Sequence, residues 1–358
     1  MVPGYSIRNL AITPGLVLAP MSGVTCSAFR QLIRELNPGA VGLLVSEFIS
    51  VEGLTREGRR SLEMMRFAEV ERPIGIQIFG YDIKRMRDAA VMVEQSGADI
   101  VDINCGCPAP KVVRRGGGCE LMRQPLHLGA MLREVRSAVS IPLTIKMRSG
   151  WDEGSRNAPE IARIAEQEGV EAVTVHGRTR SALYRGSADY EIVRQVVESV
   201  RIPVCGSGDV VDSASARERF ESGVVGLYVG RAAIHNPLVF TDIVEQRVAA
   251  LRHQPELMVQ ILLRYRDLLV EGGRPPLAMC GRLKQLASQM AKGCSWTKPF
   301  CRAQSLKEQE EVLERVREGT FTTASEDGPV RGSISADIES SPDVGIARDA
   351  WVNAGYCD

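Results

Sequence analysis

Eight short runs of apolar and β-branched residues recur along the first two thirds of the chain, and each is followed by a segment with helical periodicity. They are Leu16 to Met21, Val41 to Glu47, Ile74 to Gly80, Ile100 to Gly106, Pro142 to Arg148, Ala172 to Arg178, Pro203 to Asp209 and Gly226 to Arg231. Their starts lie 25, 33, 26, 42, 30, 31 and 23 residues apart, the length of one strand, one helix and two loops. Eight such units ending near residue 245 predict an α/β fold of the (β/α)8 type, the TIM barrel, which takes about 250 residues. A doubly wound sheet is the competing arrangement. Eight units, with polar residues gathered at the end of nearly every run, favour the barrel.

Those ends read Pro20-Met21-Ser22, Ser46-Glu47, Gln77-Ile78-Phe79-Gly80, Asn104-Cys105-Gly106-Cys107-Pro108, Lys146-Met147-Arg148, His176-Gly177-Arg178, Gly206-Ser207-Gly208-Asp209 and Gly230-Arg231. In such barrels the catalytic groups come from the C-terminal ends of several strands, so all eight clusters are expected to face one pocket. The glycines after runs seven and eight, with Ser207, Asp209 and the planar donors of Arg231, suit a phosphate-bearing ligand better than bare tight turns. Sugar phosphates and flavin mononucleotide (FMN) both fit.

Lys146 ends an otherwise apolar run and needs an anionic partner to keep its charge. A reduced flavin provides one, and so does a salt bridge to Glu47 or Asp102. His176 is open to two readings, a donor to the ligand or a satisfied core histidine. Cys107, followed by Pro108 at a loop entry, is placed to present a proton, since a free thiol has a pKa of about 8.5 and is mostly protonated near neutrality. The alternative is a small buried hydrophobe. Cys105 alternates onto the other face and is assigned to packing.

The 358 residues exceed one barrel. From Thr241 to Lys307 the pattern becomes helical, with Leu251 to Val270 read as one amphipathic stretch and Gly281 to Ala291 as another. The expected division is a barrel over 1–245, a small helical domain over 246–318 and an acidic, disordered tail over 319–358. The 44 basic and 44 acidic residues cancel only in the sum. The tail holds two basic and seven acidic side chains, whereas Gly272 to Lys307 holds seven basic residues and no acidic one. Neutrality therefore does not exclude a nucleic acid, and the basic stretch favours RNA.

Met1 to Leu10 lacks the apolar stretch of a secretory signal, and no apolar run approaches a membrane span. Nine cysteines at irregular spacing fit reduced thiols in the cytoplasm. With four histidines and no pair at zinc spacing, no metal is expected. A cytoplasmic monomer is the expectation.

Leu18-Ala19-Pro20-Met21-Ser22-Gly23-Val24-Thr25, Gln77-Ile78-Phe79-Gly80, Asp102 through Pro108, Lys146-Met147-Arg148-Ser149-Gly150-Trp151 and His176-Gly177-Arg178-Thr179-Arg180 together resemble the tRNA-dihydrouridine synthase family. The match runs in order over about residues 10–245 and more weakly to about 290. The resemblance implies an FMN-dependent barrel followed by a helical RNA-binding domain, reducing the C5–C6 double bond of uridine in tRNA with electrons from NADPH. By position, Pro20, Met21, Gln77, Lys146, His176, Gly208, Gly230 and Arg231 would hold the flavin, with Ser207 and Asp209 beside them. Cys107 would be the general acid and Asn104 would orient the uracil. Arg178 and Arg180 would contact substrate or RNA phosphates, as would Arg282 and Lys284 on the second helix.

The chain departs from the family pattern at Ala182, where Gln is usual, at Ser207, where many members have Asn, and in Gly116-Gly117-Gly118-Cys119, where Gly-Ser-Gly-Ala is common. Two other readings stay open at this point. One is a flavin barrel acting on a free pyrimidine or other small enone; the other is a non-catalytic RNA-binding protein on a barrel scaffold.

Overall fold

The computed structural model describes residues 2–248 and 251–321. All but the first three residues of the expected tail lie outside them. The eight runs form eight parallel strands: Leu16–Leu18, Leu43–Val45, Ile74–Phe79, Ile100–Cys105, Leu143–Arg148, Ala172–His176, Val204–Ser207 and Gly226–Val229, here strands 1 to 8. Each pairs with the next, and strand 8 returns to strand 1 through Leu227↔Leu16 and Val229↔Leu18, so the sheet closes on itself. The backbone N–H of Ala19 extends that seam by donating to Val229 O at 2.9 Å.

Alternation along the strands divides the core in two. The outward set, including Leu16, Leu18, Ile76, Ile78, Ile103, Cys105, Ile145, Met147 and Val175, packs under the helices. The inward set is a separate cluster of Val17, Leu43, Val45, Ile100, Ala172, Cys205 and Tyr228, joined by Ile7 and Ile12. The last two come from a hairpin, Tyr5–Ile7 paired with Leu10–Ile12, that sequence reasoning did not find. It closes the N-terminal end of the barrel. Gly226 makes room for it, since a Cβ there would lie 2.7 Å from the Tyr5 ring.

The first long helix of the helical segment begins later than the pattern predicts. Leu251–His253 is a separate 3-10 turn, and the long helix runs Pro255–Glu271, because Pro255 sets φ for a first helical turn and cannot continue a preceding one. The second helix is Pro276–Met290, again started by proline rather than at Gly281. Two shorter helices follow, Thr297–Arg302 and Leu306–Arg317. Helix Pro255–Glu271 lies on helix Ser27–Leu36, with the Phe29 and Tyr265 rings edge to face at 6.0 Å. Arg264 forks onto Glu35 with two bonds of 2.7 Å. The helices thus sit beside strands 1 and 8 and share the outer core. Among the described residues no helix is long and apolar enough to cross a membrane.

One buried ion pair braces this flank. Arg30 and Glu71, both under 2% exposed, meet at 2.5 Å; Arg30 also donates to Thr25 O at 2.7 Å and Arg66 O at 3.0 Å, and Glu71 accepts from Ala68 N at 2.8 Å. Removing one charge strands the other, which typically costs about 3–5 kcal/mol. Glu71→Ala is therefore expected to lower the urea midpoint far more than Glu63→Ala, whose exposed partner is Arg59; equal midpoints for the two variants would show that the buried pair does not brace the fold.

Candidate active site

At the C-terminal mouth of the barrel the inner wall turns from apolar to polar. Asp102 is buried, with Oδ2 accepting from Gln77 Nε2 at 2.5 Å and Oδ1 from Thr144 Oγ1 at 2.6 Å. Gln77 Oε1 accepts from Asn104 Nδ2 at 2.7 Å. Asn104 Oδ1 then accepts from the backbone N–H groups of Gly106 at 3.1 Å and Cys107 at 2.8 Å. A carboxylate can only accept and a backbone N–H can only donate, so the orientation of both amides is set from each end. Burial raises the Asp102 pKa, opposed by its bonds to Thr144 and Gln77 and by the charge of Lys146.

Cys107 is half-buried at the mouth. The glycine-rich loop folds beneath it: Cys119 N donates to Cys107 O at 3.1 Å. Gly118 has φ +60°, and a Cβ there would fall 2.5 Å from Cys107 O, so the residue must be glycine. Cys105 is fully buried in the outer core, as its alternation predicts, and burial pushes its thiol pKa up. Burial likewise pushes Cys119 up to about 12.

Lys146 stands opposite Asn104 in the register of strands 4 and 5. Neither salt bridge offered by the sequence forms among the described residues. Asp102 is engaged with neutral partners, while Glu47 accepts from Gly23 N and faces Arg282 at 3.8 Å. Burial, aided by the charge of Arg148 and opposed by that of Asp102, pulls the Lys146 pKa down to about 8. His176 is buried, and burial together with Arg148, Lys146, Arg178 and Arg231 holds its imidazole well below the ordinary value, hence neutral near pH 7. Gly208 has φ +108°, and a Cβ there would press on the His176 ring at 2.6 Å. Arg231, with 39% of its side chain exposed, reaches Asp209 only at 3.8 Å. Gly230, Met21 and Ala19 meet at the same rim, with a Cβ on Gly230 making ordinary contacts of 3.7 Å to the other two. Ser207 ends strand 7, buried and paired with His176 in register. Pro20 is half-buried at the end of strand 1.

Two arginines among the expected contacts are bonded to protein groups. Arg178 is buried, with its Nη2 on Asp209 at 2.8 and 2.9 Å and on Gly186 O, and its Nε on Arg185 O at 3.2 Å. It supports the mouth and holds Asp209, and its Nη1 faces His176 Nε2 at 3.4 Å. Arg282 donates to Gly23 O and faces Glu47, joining the second helix to the loop after strand 1. Arg180 lies at the rim, 4.7 Å over the Trp151 ring, with a buried Nε that has no hydrogen-bond partner. Lys284 is half-buried on the second helix.

Arg148 was missed. It is buried and donates to Gly106 O at 3.1 Å and to Thr179 O and Leu183 O at 2.7 Å each, tying three loops together. Its sequence signal was present: Lys146-Met147-Arg148 puts two cations on the same face of one strand. Tyr184, exposed at the mouth, was also missed.

Lys146, Arg148, Arg178 and Arg231 outnumber the nearby carboxylates, and the ammonium of Lys146 has no ion-pair partner among the described residues. The donor set fits an anionic, phosphate-bearing ring compound, with glycine backbone at strands 7 and 8 for the phosphate.

Comparison with known proteins places the chain in a family. The family model described as dihydrouridine synthase matches residues 17–323. A probable tRNA-dihydrouridine synthase of Rickettsia bellii is 41% identical over 239 residues, 66% of this chain and 72% of that protein. The tRNA-dihydrouridine synthase B of Escherichia coli is 41% identical over 242 residues, 67% of this chain and 72% of that one. Among solved structures, a 2-naphthoyl-CoA reductase in complex with 2-naphthoyl-CoA superposes with a TM-score of 0.54 at 15% identity, covering 69% of this chain. The chain spans about half, 52%, of that protein, and the likeness is one of fold. With the family model matching from the first barrel strand through the last helix, the chain belongs to the dihydrouridine synthase family.

Proposed function

We propose that the protein reduces the C5–C6 double bond of uridine in tRNA to dihydrouridine, with FMN as cofactor and NADPH as electron donor. The observation that carries the reading is the pairing of an uncompensated cationic mouth with a thiol held at its edge by Asn104. Lys146, His176, Gly208, Gly230 and Arg231 would hold the flavin, with Pro20, Met21, Gln77 and Ser207 lining its place and Asp209 keeping Arg178 in position. When bound and reduced, FMN supplies the hydride equivalent for C6.

The protein's own task is the other half of the addition. Cys107 gives its proton to C5 and is left as a thiolate, then regains a proton from solvent. Asn104 fixes the backbone that carries that thiol, and the second N–H of its amide remains to orient the uracil. The neutral imidazole of His176 adds one more donor without adding charge.

A base stacked in folded RNA reaches this mouth only after extrusion, so the rest of the RNA must be held elsewhere. Lys292, Lys298, Arg302 and Lys307 are exposed on the helical segment, whose ion pairs use Arg264, Arg266 and Arg282 instead. That supports an RNA-binding domain at 246–318 beside the catalytic barrel of 1–245, in a cytoplasmic enzyme. Arg180 and Lys284 remain candidates for RNA contact.

Cys107→Ala is expected to keep FMN bound and to slow uridine reduction by about 10² or more; unchanged turnover would remove the thiol from the mechanism. Fast reoxidation of the reduced enzyme by free uracil compounds, with no response to tRNA, would point to a small-substrate reductase. Lys146 carries its charge below about pH 8 and loses it above. Its attraction for an anionic cofactor is therefore complete at pH 6.5 and fades at pH 9.5. FMN affinity read by fluorescence should weaken over that rise, and less so in Lys146→Met; parallel profiles would assign the charge no part in binding. Removing Gly319 to Asp358, which carries a net negative charge, should tighten tRNA binding at low salt; equal affinities would show that the tail does not screen the basic domain.

A further inference from the structure

The loop after strand 6 presents two large apolar side chains to solvent at the mouth, Leu183 at 45% and Tyr184 at 56% exposure. Single exposed apolar residues are common, but these are held out by unusual means. Two buried arginines grip the loop backbone. Arg148 binds Thr179 O and Leu183 O, and Arg178 binds Arg185 O and Gly186 O. Leu183 itself takes the left-handed conformation at φ 53°, which a branched side chain adopts at some cost. Buried charges and a residue in the left-handed region hold the loop where the Tyr184 ring is 56% exposed.

The surroundings of the ring suggest its use. Arg231 lies 4.7 Å and Arg148 5.5 Å from its centre, and the His176 ring is 6.4 Å away and tilted by 44°. Tyr184 is thus at the edge of the catalytic pocket, in positive potential, with more than half its surface available. Nucleic-acid strands are held at such places by stacking of bases on aromatic rings, with cations near the backbone.

We propose that Tyr184 is a stacking platform for a base of the RNA strand that enters the mouth, held outward by Arg148 and Arg178. The proposal rests on the tRNA reading above and adds to it a residue that positions the strand. Leu183 widens the apolar surface next to the ring.

The test compares Tyr184→Leu and Tyr184→Phe with the parent holoenzyme, using a tRNA transcript at several salt concentrations. Leucine should weaken tRNA binding by roughly tenfold or more, the range of one lost base stack, while phenylalanine restores it. The slope of affinity against salt should not change, because a stack releases no counterions. FMN affinity and the rate of flavin reduction by NADPH should also hold. Parent-like binding in Tyr184→Leu would overturn the proposal. So would a changed salt slope, which would mark a phosphate contact, or a loss confined to FMN affinity or the NADPH step, which would assign the ring to the cofactor. If the parent itself fails to bind tRNA while holding FMN, the failure belongs to the proposed function and not to Tyr184.

Discussion

A closed parallel barrel must fill its own interior, and this one fills its upper half with polar side chains. The buried carboxylate of Asp102 is the group on which that solution turns. An isolated anion there would be prohibitively unfavourable, but Gln77 and Thr144 donate to it from the strands on either side. Because Gln77 must turn its N–H groups toward the carboxylate, its carbonyl faces Asn104, and Asn104 in turn offers its own carbonyl to the backbone of Cys107. The position of a half-buried thiol at the mouth is thereby tied to an anion deeper in the barrel and on the same strand.

The charge above that network has the opposite sign. Four cations converge on one buried histidine, and the carboxylate of Asp209 meets only Arg178 closely. Such a concentration is tolerated where charges are bonded to carbonyls, as in Arg148 and Arg178, and remains a source of binding energy where they are not, as in Lys146 and Arg231. The division follows the burial: the buried arginines hold loops, whereas Lys146 and Arg231 are less deeply covered. Arg178 and Arg282 both hold protein to protein, which their places in the sequence did not foretell. A sequence reveals that an arginine is present at a strand end or on a helix. It does not reveal whether a carbonyl or a carboxylate lies within reach of it.

Other features were legible to different degrees. The eight strands could be read because each is a nearly continuous apolar run of the kind only a doubly covered parallel strand needs. The hairpin of Tyr5–Ile7 and Leu10–Ile12 escaped because three-residue strands carry too little periodicity to register. Alternation sets Cys105 outward, opposite to Asn104, whereas Cys107, two residues on, reaches the mouth only because the strand ends at Cys105. Tyr184 was invisible as a surface residue, since its exposure is imposed by arginines 36 and 6 positions earlier in the chain. Pro255 and Pro276 announced helix starts that amphipathic periodicity alone placed several residues away.

The hairpin at the lower end has a consequence for traffic. Ile7, Ile12 and the Tyr5 ring pack with Tyr228 and Cys205 and so fill the lower end of the barrel among the described residues. Everything that reacts inside must arrive and depart by the upper opening, past Cys107 and Tyr184.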